Sequence, residues 1–204
     1  MRCKICQIKF VPTQFLQKTC SVEHAMEWLK LNPKKVSLQA SKFDRERTKQ
    51  QKEEITDWKG KLQTEVQLLS RQIDYGLLCL ATGNSGKMAG GHLWSKGGHP
   101  QCRFNLHNIH RQCYYSNAKQ SQDSLMWEGL EREYGKEYHD MVKSLKGNPI
   151  PKHSNEDYRD FYKETKKITL EMSKDLKLRS PSERIELRNQ FNLRIGIYPI
   201  PSCC

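Results

Sequence analysis

The segment Ala89-Gly90-Gly91-His92, followed by Arg103-Phe104-Asn105-Leu106-His107-Asn108-Ile109-His110-Arg111-Gln112-Cys113-Tyr114-Tyr115-Ser116-Asn117-Ala118-Lys119, gathers the densest set of reactive side chains in the sequence. A neutral imidazole with a pKa of about 6.5 takes a proton from water and makes a nucleophile for a phosphodiester. A hard divalent cation polarises the phosphate and stabilises the oxygen that leaves. An Asn on a helix gives such an ion one oxygen. An Asn in a loop ties the loop backbone so that the imidazole faces its target. A Gly-rich turn before a His, a loop with an Asn, a short strand, and a Cys opening a helix that carries another Asn could bring these groups to one divalent ion.

A second group is Cys3-Lys4-Ile5-Cys6 with Cys20-Ser21-Val22-Glu23-His24. Two cysteines three apart fit a tight turn with both sulfurs on one tetrahedral ion. A Cys and a His four apart stand one helical turn apart and close the set. About 30 residues bury too little to fold alone, so a structural Zn²⁺ on Cys3, Cys6, Cys20 and His24 supplies the missing stabilisation. Four protein ligands leave no open position, so this ion is structural rather than catalytic. Phe10 and Phe15, between the ligand pairs, are the expected small core. Lys4, Lys9 and Lys18 read as phosphate contacts or as solvated charge. Eight cysteines without an apolar signal core at the N-terminus favour a reducing cytoplasm with metal-bound thiolates. Cys203 and Cys204 fall outside any ligand pattern and read as exposed thiols.

These groups must be positioned by 204 residues of which 36% are apolar, against about 45–50% in globular domains. One core filling the whole chain is excluded, and a small packed unit with solvated helical appendages is favoured. No run approaches the roughly 18 apolar residues that span a bilayer. The formal net charge of +12 points to a polyanion, because each neutralised phosphate releases counterions. An anionic membrane surface would want an amphipathic helix with aromatic anchors instead. Ile55, Trp58, Leu62, Val66 and Leu69 recur in three-and-four steps and predict a helix face, whereas Phe43 to Glu54 has no apolar face and predicts a solvated helix or linker. Glycines crowd residues 73–100 and predict turns and short strands. Leu125, Leu130, Tyr134, Tyr138, Met141 and Leu145 predict a helix over 122–146, stopped by Asn148-Pro149-Ile150-Pro151. Ser154 with Asp157 predicts a capped helix to about Leu178, and Ser180-Pro181-Ser182-Glu183 opens a last helix to about Leu193.

The stretch from about Cys79 to Lys119 resembles an HNH endonuclease motif in its His-Asn-Asn variant. More narrowly it resembles the NinG (Rap) recombination proteins of lambda-like phages. The matching text is Ala-Gly-x-His at His92, Arg103-Phe104-Asn105, Asn108-Ile109-His110-x-Gln112-Cys113, and Asn117 with Lys119. The resemblance implies a structure-specific endonuclease acting on branched DNA, such as D-loops and Holliday junctions, during phage recombination in the host cytoplasm. It assigns His92 as general base, Asn108 as the loop-ordering residue and Asn117 as a ligand of a catalytic Mg²⁺ or Mn²⁺. Gly91 stands where wider HNH enzymes often carry a metal-binding residue, so a second ligand is left to His92 or His110. Such proteins frame the motif with two Cys-x-x-Cys pairs around a second zinc. Here the pairs are Cys79-Leu80-Ala81-Thr82 and Cys113-Tyr114-Tyr115-Ser116. The preferred reading is two buried thiols, with apolar packing by Leu77, Leu78, Leu80 and Tyr114 holding the hairpin. A site repaired by Cys102 or His110 is the alternative.

Arg103, Arg111 and Lys119 surround the motif as candidate phosphate clamps, and His107 is a weaker one. The basic and aromatic C-terminal helices could cradle duplex arms through phosphate contacts. The resulting expectation is an α+β, mostly helical chain: a zinc-binding knuckle (1–32), a charged helical linker (33–72), a small ββα-metal, HNH-like nuclease domain (73–146) and a helical extension (147–204). The competing class is a non-catalytic zinc-containing nucleic-acid-binding protein with a degenerate HNH segment. Symmetric resolution of a four-way junction would favour a homodimer, although no heptad run is long enough to argue one.

Overall fold

The computed structural model describes residues 1–14, 17–114, 116 and 123–198, with side chains described for the same residues except 34–40 and 123. The chain divides into two compact units, 1–56 and 57–204. Phe15, Asn117, Lys119, Cys203 and Cys204 lie outside the described residues.

In the first unit Arg2 and Lys9 form an antiparallel bridge, followed by α1 (Val22–Leu31) and α2 (Pro33–Ile55). Ser21 caps α1 by accepting from the His24 N–H. Pro33, at the first helical position of α2, ends the α1 direction. Among the described residues of this unit only Cys3 and Thr19 are buried. Val22, Met26 and Leu31 of α1 are exposed, as are Phe43 and Ile55 of α2. Apolar burial therefore contributes little here, and Phe10 is only half-buried.

The expected linker 33–72 is broken at Thr56–Asp57. Asp57 caps α3 (Trp58–Ile73) by accepting from the Gly60 N–H at 2.8 Å, and α3 belongs to the second unit. Its stripe Leu62, Val66, Leu69 and Ile73 is fully buried. Ile55, expected on the same face, falls in the other unit. The stripe packs with Phe104, Leu106, Ile109, Ile168, Met172, Phe191 and Ile195 into one core. Each fully buried Leu or Ile contributes about 1.5–3 kcal/mol.

Two strands, β1 (Met88–His92) and β2 (Ile109–Cys113), pair antiparallel with His92 opposite Ile109 and Gly91 opposite His110. A second core joins Cys79, Leu80, Leu93 and Cys102 to Met126 and Leu130 of α4 (Asp123–Tyr134) and to Tyr138 and Val142 of α5 (Lys136–Ser144). The helix expected over 122–146 is thus two helices, divided at Gly135. Leu80 is buried, but Leu78 and Tyr114 are exposed, so the expected apolar packing of those two residues does not hold the hairpin. Capping boxes at Ser154/Asp157 and Ser180/Glu183 start α6 (Asn155–Met172) and α7 (Pro181–Ile195). Among the described residues the chain is mostly helical, with one small two-stranded sheet. Among the described residues no helix is long and apolar enough to cross a membrane.

Candidate functional site

The ligand atoms of Cys3, Cys6, Cys20 and His24 lie within 4.8 Å of one another. Cys6 and Cys20 Sγ are 3.5 Å apart, and His24 Nδ1 is 3.2 Å from Cys20 Sγ and 3.8 Å from Cys3 Sγ. Zn–S bonds of about 2.3 Å at tetrahedral angles set ligand–ligand edges of about 3.8 Å. The spacing and the three-sulfur, one-nitrogen donor set fit a structural ion such as Zn²⁺. In a unit whose described residues include two buried side chains, Cys3 and Thr19, such an ion would stand in for a core.

The second site begins with Gly90 and Gly91. A Cβ on Gly90 would stand 2.9 Å from Gln67 Cα and carbonyl O, and one on Gly91 would stand 2.9 Å from Gln112 Cβ. Gly90 lets α3 lie directly on β1, where the Gln67 amide donates to the Gly90 carbonyl at 2.8 Å. One turn earlier on α3, Gln63 then reaches the end of β1. Its Oε1 accepts from Arg103 Nε at 2.9 Å, and its Nε2 lies 3.2 Å from His92 Nε2. A metal-binding side chain at position 91 has no room, which gives the departure at Gly91 a packing cause.

His92 Nε2 is 3.0 Å from the Arg103 carbonyl. Of its two neighbours only the carbonyl is an acceptor, so the proton sits on Nε2 and Nδ1 carries the lone pair. Among the described residues Nδ1 takes no hydrogen bond. Burial, assisted by the Lys96 and Arg103 cations, pushes the imidazole pKa down to about 4. The ring is neutral at pH 7, a base with its lone pair available.

Asn108 is fully buried and spans the loop between the strands. Its Oδ1 accepts from the Trp94 N–H at 2.7 Å, and its Nδ2 donates to the Trp94 carbonyl at 2.9 Å and to the Cys102 carbonyl at 3.1 Å. The amide holds the residues after His92 to those before Arg103, and thereby fixes the carbonyl that orients the imidazole.

His92, Asn108 and Arg103 are brought together; His110 and Arg111 are not. The His110 ring is fully buried: Nε2 donates to the His107 carbonyl at 3.0 Å and Nδ1 accepts from Arg188 at 3.1 Å. With both nitrogens engaged and a guanidinium alongside, His110 is not a metal ligand, which corrects that assignment. Arg111 pairs with Glu133 in the interior, so it is not a phosphate clamp. His107 is also buried between Tyr138 and Asn189, each at 2.9 Å. Asn117 and Lys119 lie outside the described residues. The N-terminal cluster is the one group of three or more His, Cys, Asp or Glu ligands among the described residues.

The loop 103–108 is pinned by residues that sequence pattern did not single out. Arg188 donates to the Leu106 carbonyl at 3.1 Å, Asn192 accepts from the Leu106 N–H at 3.0 Å, and the Tyr198 hydroxyl accepts from the Phe104 N–H at 3.1 Å. Arg188 also donates to both oxygens of the buried Asp74 at 2.9 Å. Burial alone would raise that carboxyl, yet the Arg188 and Arg111 guanidiniums hold it down at about 2. An Arg and an Asn four apart on the inner face of a capped helix were the available signal.

The family described as "Bacteriophage Lambda NinG protein" matches residues 1–176. Neither a curated protein nor a solved structure matches the chain.

Proposed function

This chain belongs to the bacteriophage lambda NinG family, and on that premise we propose that it is a metal-dependent, structure-specific endonuclease acting on branched recombination intermediates such as D-loops and Holliday junctions. One observation carries the reading: an imidazole at the end of a strand, neutral and with Nδ1 unengaged among the described residues, held by the carbonyl of a loop that a buried Asn ties together.

In this reading His92 Nδ1 takes a proton from water. The water oxygen bonds to phosphorus as the bond to the 3′ oxygen breaks. A Mg²⁺ or Mn²⁺ ion, when bound, polarises the phosphate and stabilises the leaving oxygen. Asn117 is the residue proposed to give that ion an oxygen; His92, whose one lone pair is spent as the base, is not its second ligand. The Arg103 guanidinium is held through Nε to Gln63 and lies 5.4 Å from the Phe104 ring centre. Its outer N–H groups are the proposed phosphate contacts. The net charge of +12 supports a polyanionic partner.

The test is incubation of labelled Holliday junction, flap and linear duplex with Mg²⁺ or Mn²⁺. Wild type nicks the branched substrates, and His92→Ala binds them with unchanged affinity while losing about 10²–10⁴-fold in rate. Paired symmetric nicks would indicate two copies acting together. If wild type binds junctions but cuts nothing with any metal, the protein is a zinc-containing binding protein and the nuclease reading fails.

A further inference from the structure

The turn that carries Cys3 and Cys6 is built a second time in the chain. In the first copy the Cys3 N–H donates to the Ile8 carbonyl at 3.0 Å, the Gln7 N–H donates to the Cys3 carbonyl at 3.1 Å, and Gln7 has φ of 62°. In the second the Cys79 N–H donates to the Asn84 carbonyl at 3.0 Å, the Gly83 N–H donates to the Cys79 carbonyl at 2.8 Å, and Gly83 has φ of 69°. Both hydrogen bonds and the left-handed fifth residue recur at the same offsets. Each turn is completed by a later Cys next to a helical residue: Cys20 with His24 in the first, Cys113 with Ser116 in the second.

The corners differ. Where the first copy has Cys6 and His24, the second has Thr82 and Ser116. Those hydroxyls and the two thiols hydrogen-bond to one another. Cys113 Sγ donates to Ser116 Oγ at 3.1 Å, Thr82 Oγ1 lies 3.9 Å from Cys113 Sγ, and Ser116 Oγ lies 3.6 Å from Cys79 Sγ. The Cys113 N–H donates to Cys79 Sγ at 3.1 Å. The resemblance implies a zinc ion at this place. Zinc binds through thiolate, imidazole and carboxylate, so two sulfurs and two neutral hydroxyls are a poor donor set for it.

We propose that Cys79, Thr82, Cys113 and Ser116 form a metal-free clasp on a metal-knuckle backbone, with thiol–hydroxyl hydrogen bonds in place of an ion. The clasp joins the 79–84 turn to the end of β2 and works whether or not zinc is present. The backbone retains the metal geometry, so sulfur restored at positions 82 and 116 creates a second metal site.

The experiment counts metal by native mass spectrometry on the full chain and follows cobalt-thiolate absorption after exchange with Co²⁺. Wild type is expected to hold one ion per chain, and the Cys79→Ser/Cys113→Ser variant also one. Thr82→Cys/Ser116→Cys is expected to hold two, with its thiolate-to-cobalt band increased about twofold. Two ions in wild type, one of them lost with Cys113→Ser, would overturn the proposal. So would a Thr82→Cys/Ser116→Cys protein with wild-type circular dichroism and a single ion. Ser116→Ala tests the clasp without relying on the cysteine variant folding. It should lower the melting temperature by about 2–4 °C, equally with and without a zinc chelator. A loss seen only in the presence of zinc would also overturn the proposal.

Discussion

His92 is neutral at pH 7 because its ring is desolvated beside two cations, Lys96 and Arg103. The acid limb of kcat/KM for junction nicking should therefore fall below pH 6.5, towards 4; a pH–rate profile with its limb at or above 6.5 would contradict this placement. The same burial links pH to stability. His92 is lowered to about 4, His107 to about 3, and His110 well below its usual value. Below pH 6.5 the unfolded imidazoles bind protons that the folded ones refuse, so stability falls as pH drops from 6.5 towards 3. Urea midpoints measured across that range should decrease monotonically with acidification. Asn108→Ala leaves the Trp94 N–H and two carbonyls without their partner and should cost about 2–4 kcal/mol in a denaturant titration. Residue types were legible for His92 and Asn108, whose neighbours along the chain carry the pattern. His110 and Arg111 read as ligand and clamp because their fates depend on Asp74, Glu133 and Arg188, up to 78 positions away. No local pattern encodes such a partner.

Helices with capping signals were readable: Ser154/Asp157 and Ser180/Glu183 mark the starts of α6 and α7 as expected. The end of α6 at Met172 and the break at Gly135 were not, because propensity alone would have continued both helices. Nor was the division of 33–72, since the switch from solvated to buried helix depends on what α3 meets in space. What the sequence pattern does not reveal is the role of α7, which pins the loop that orients His92. Asn192→Ala should leave junction affinity near wild type but slow cutting, because Leu106 and Asn105 both lose a partner; a kcat/KM loss appearing wholly in KM would argue against a positioning role. Arg188→Ala strands the buried Asp74 carboxylate and should cost about 3–5 kcal/mol of unfolding free energy.

The two units rest on different physics. Among the described residues, 57–198 form two apolar cores, whereas 1–56 hold a four-ligand cluster and two buried side chains, Cys3 and Thr19. A strong zinc chelator at neutral pH should expose 1–56 to limited proteolysis and leave the thermal transition of 57–204 unchanged; loss of both together would show a shared dependence. The charge of +12, readable from composition, predicts junction affinity that falls steeply as salt rises, measurable as a linear log–log slope.

Arg188, Asn192 and Tyr198 all follow residue 176, where the family match ends, and they come after every other described element in order of synthesis. A nascent polypeptide still threading the ribosomal tunnel therefore carries its imidazole without the pins that aim it. On the proposed reading, cutting power would arrive only once residues 181–198 have been made and have folded onto the loop.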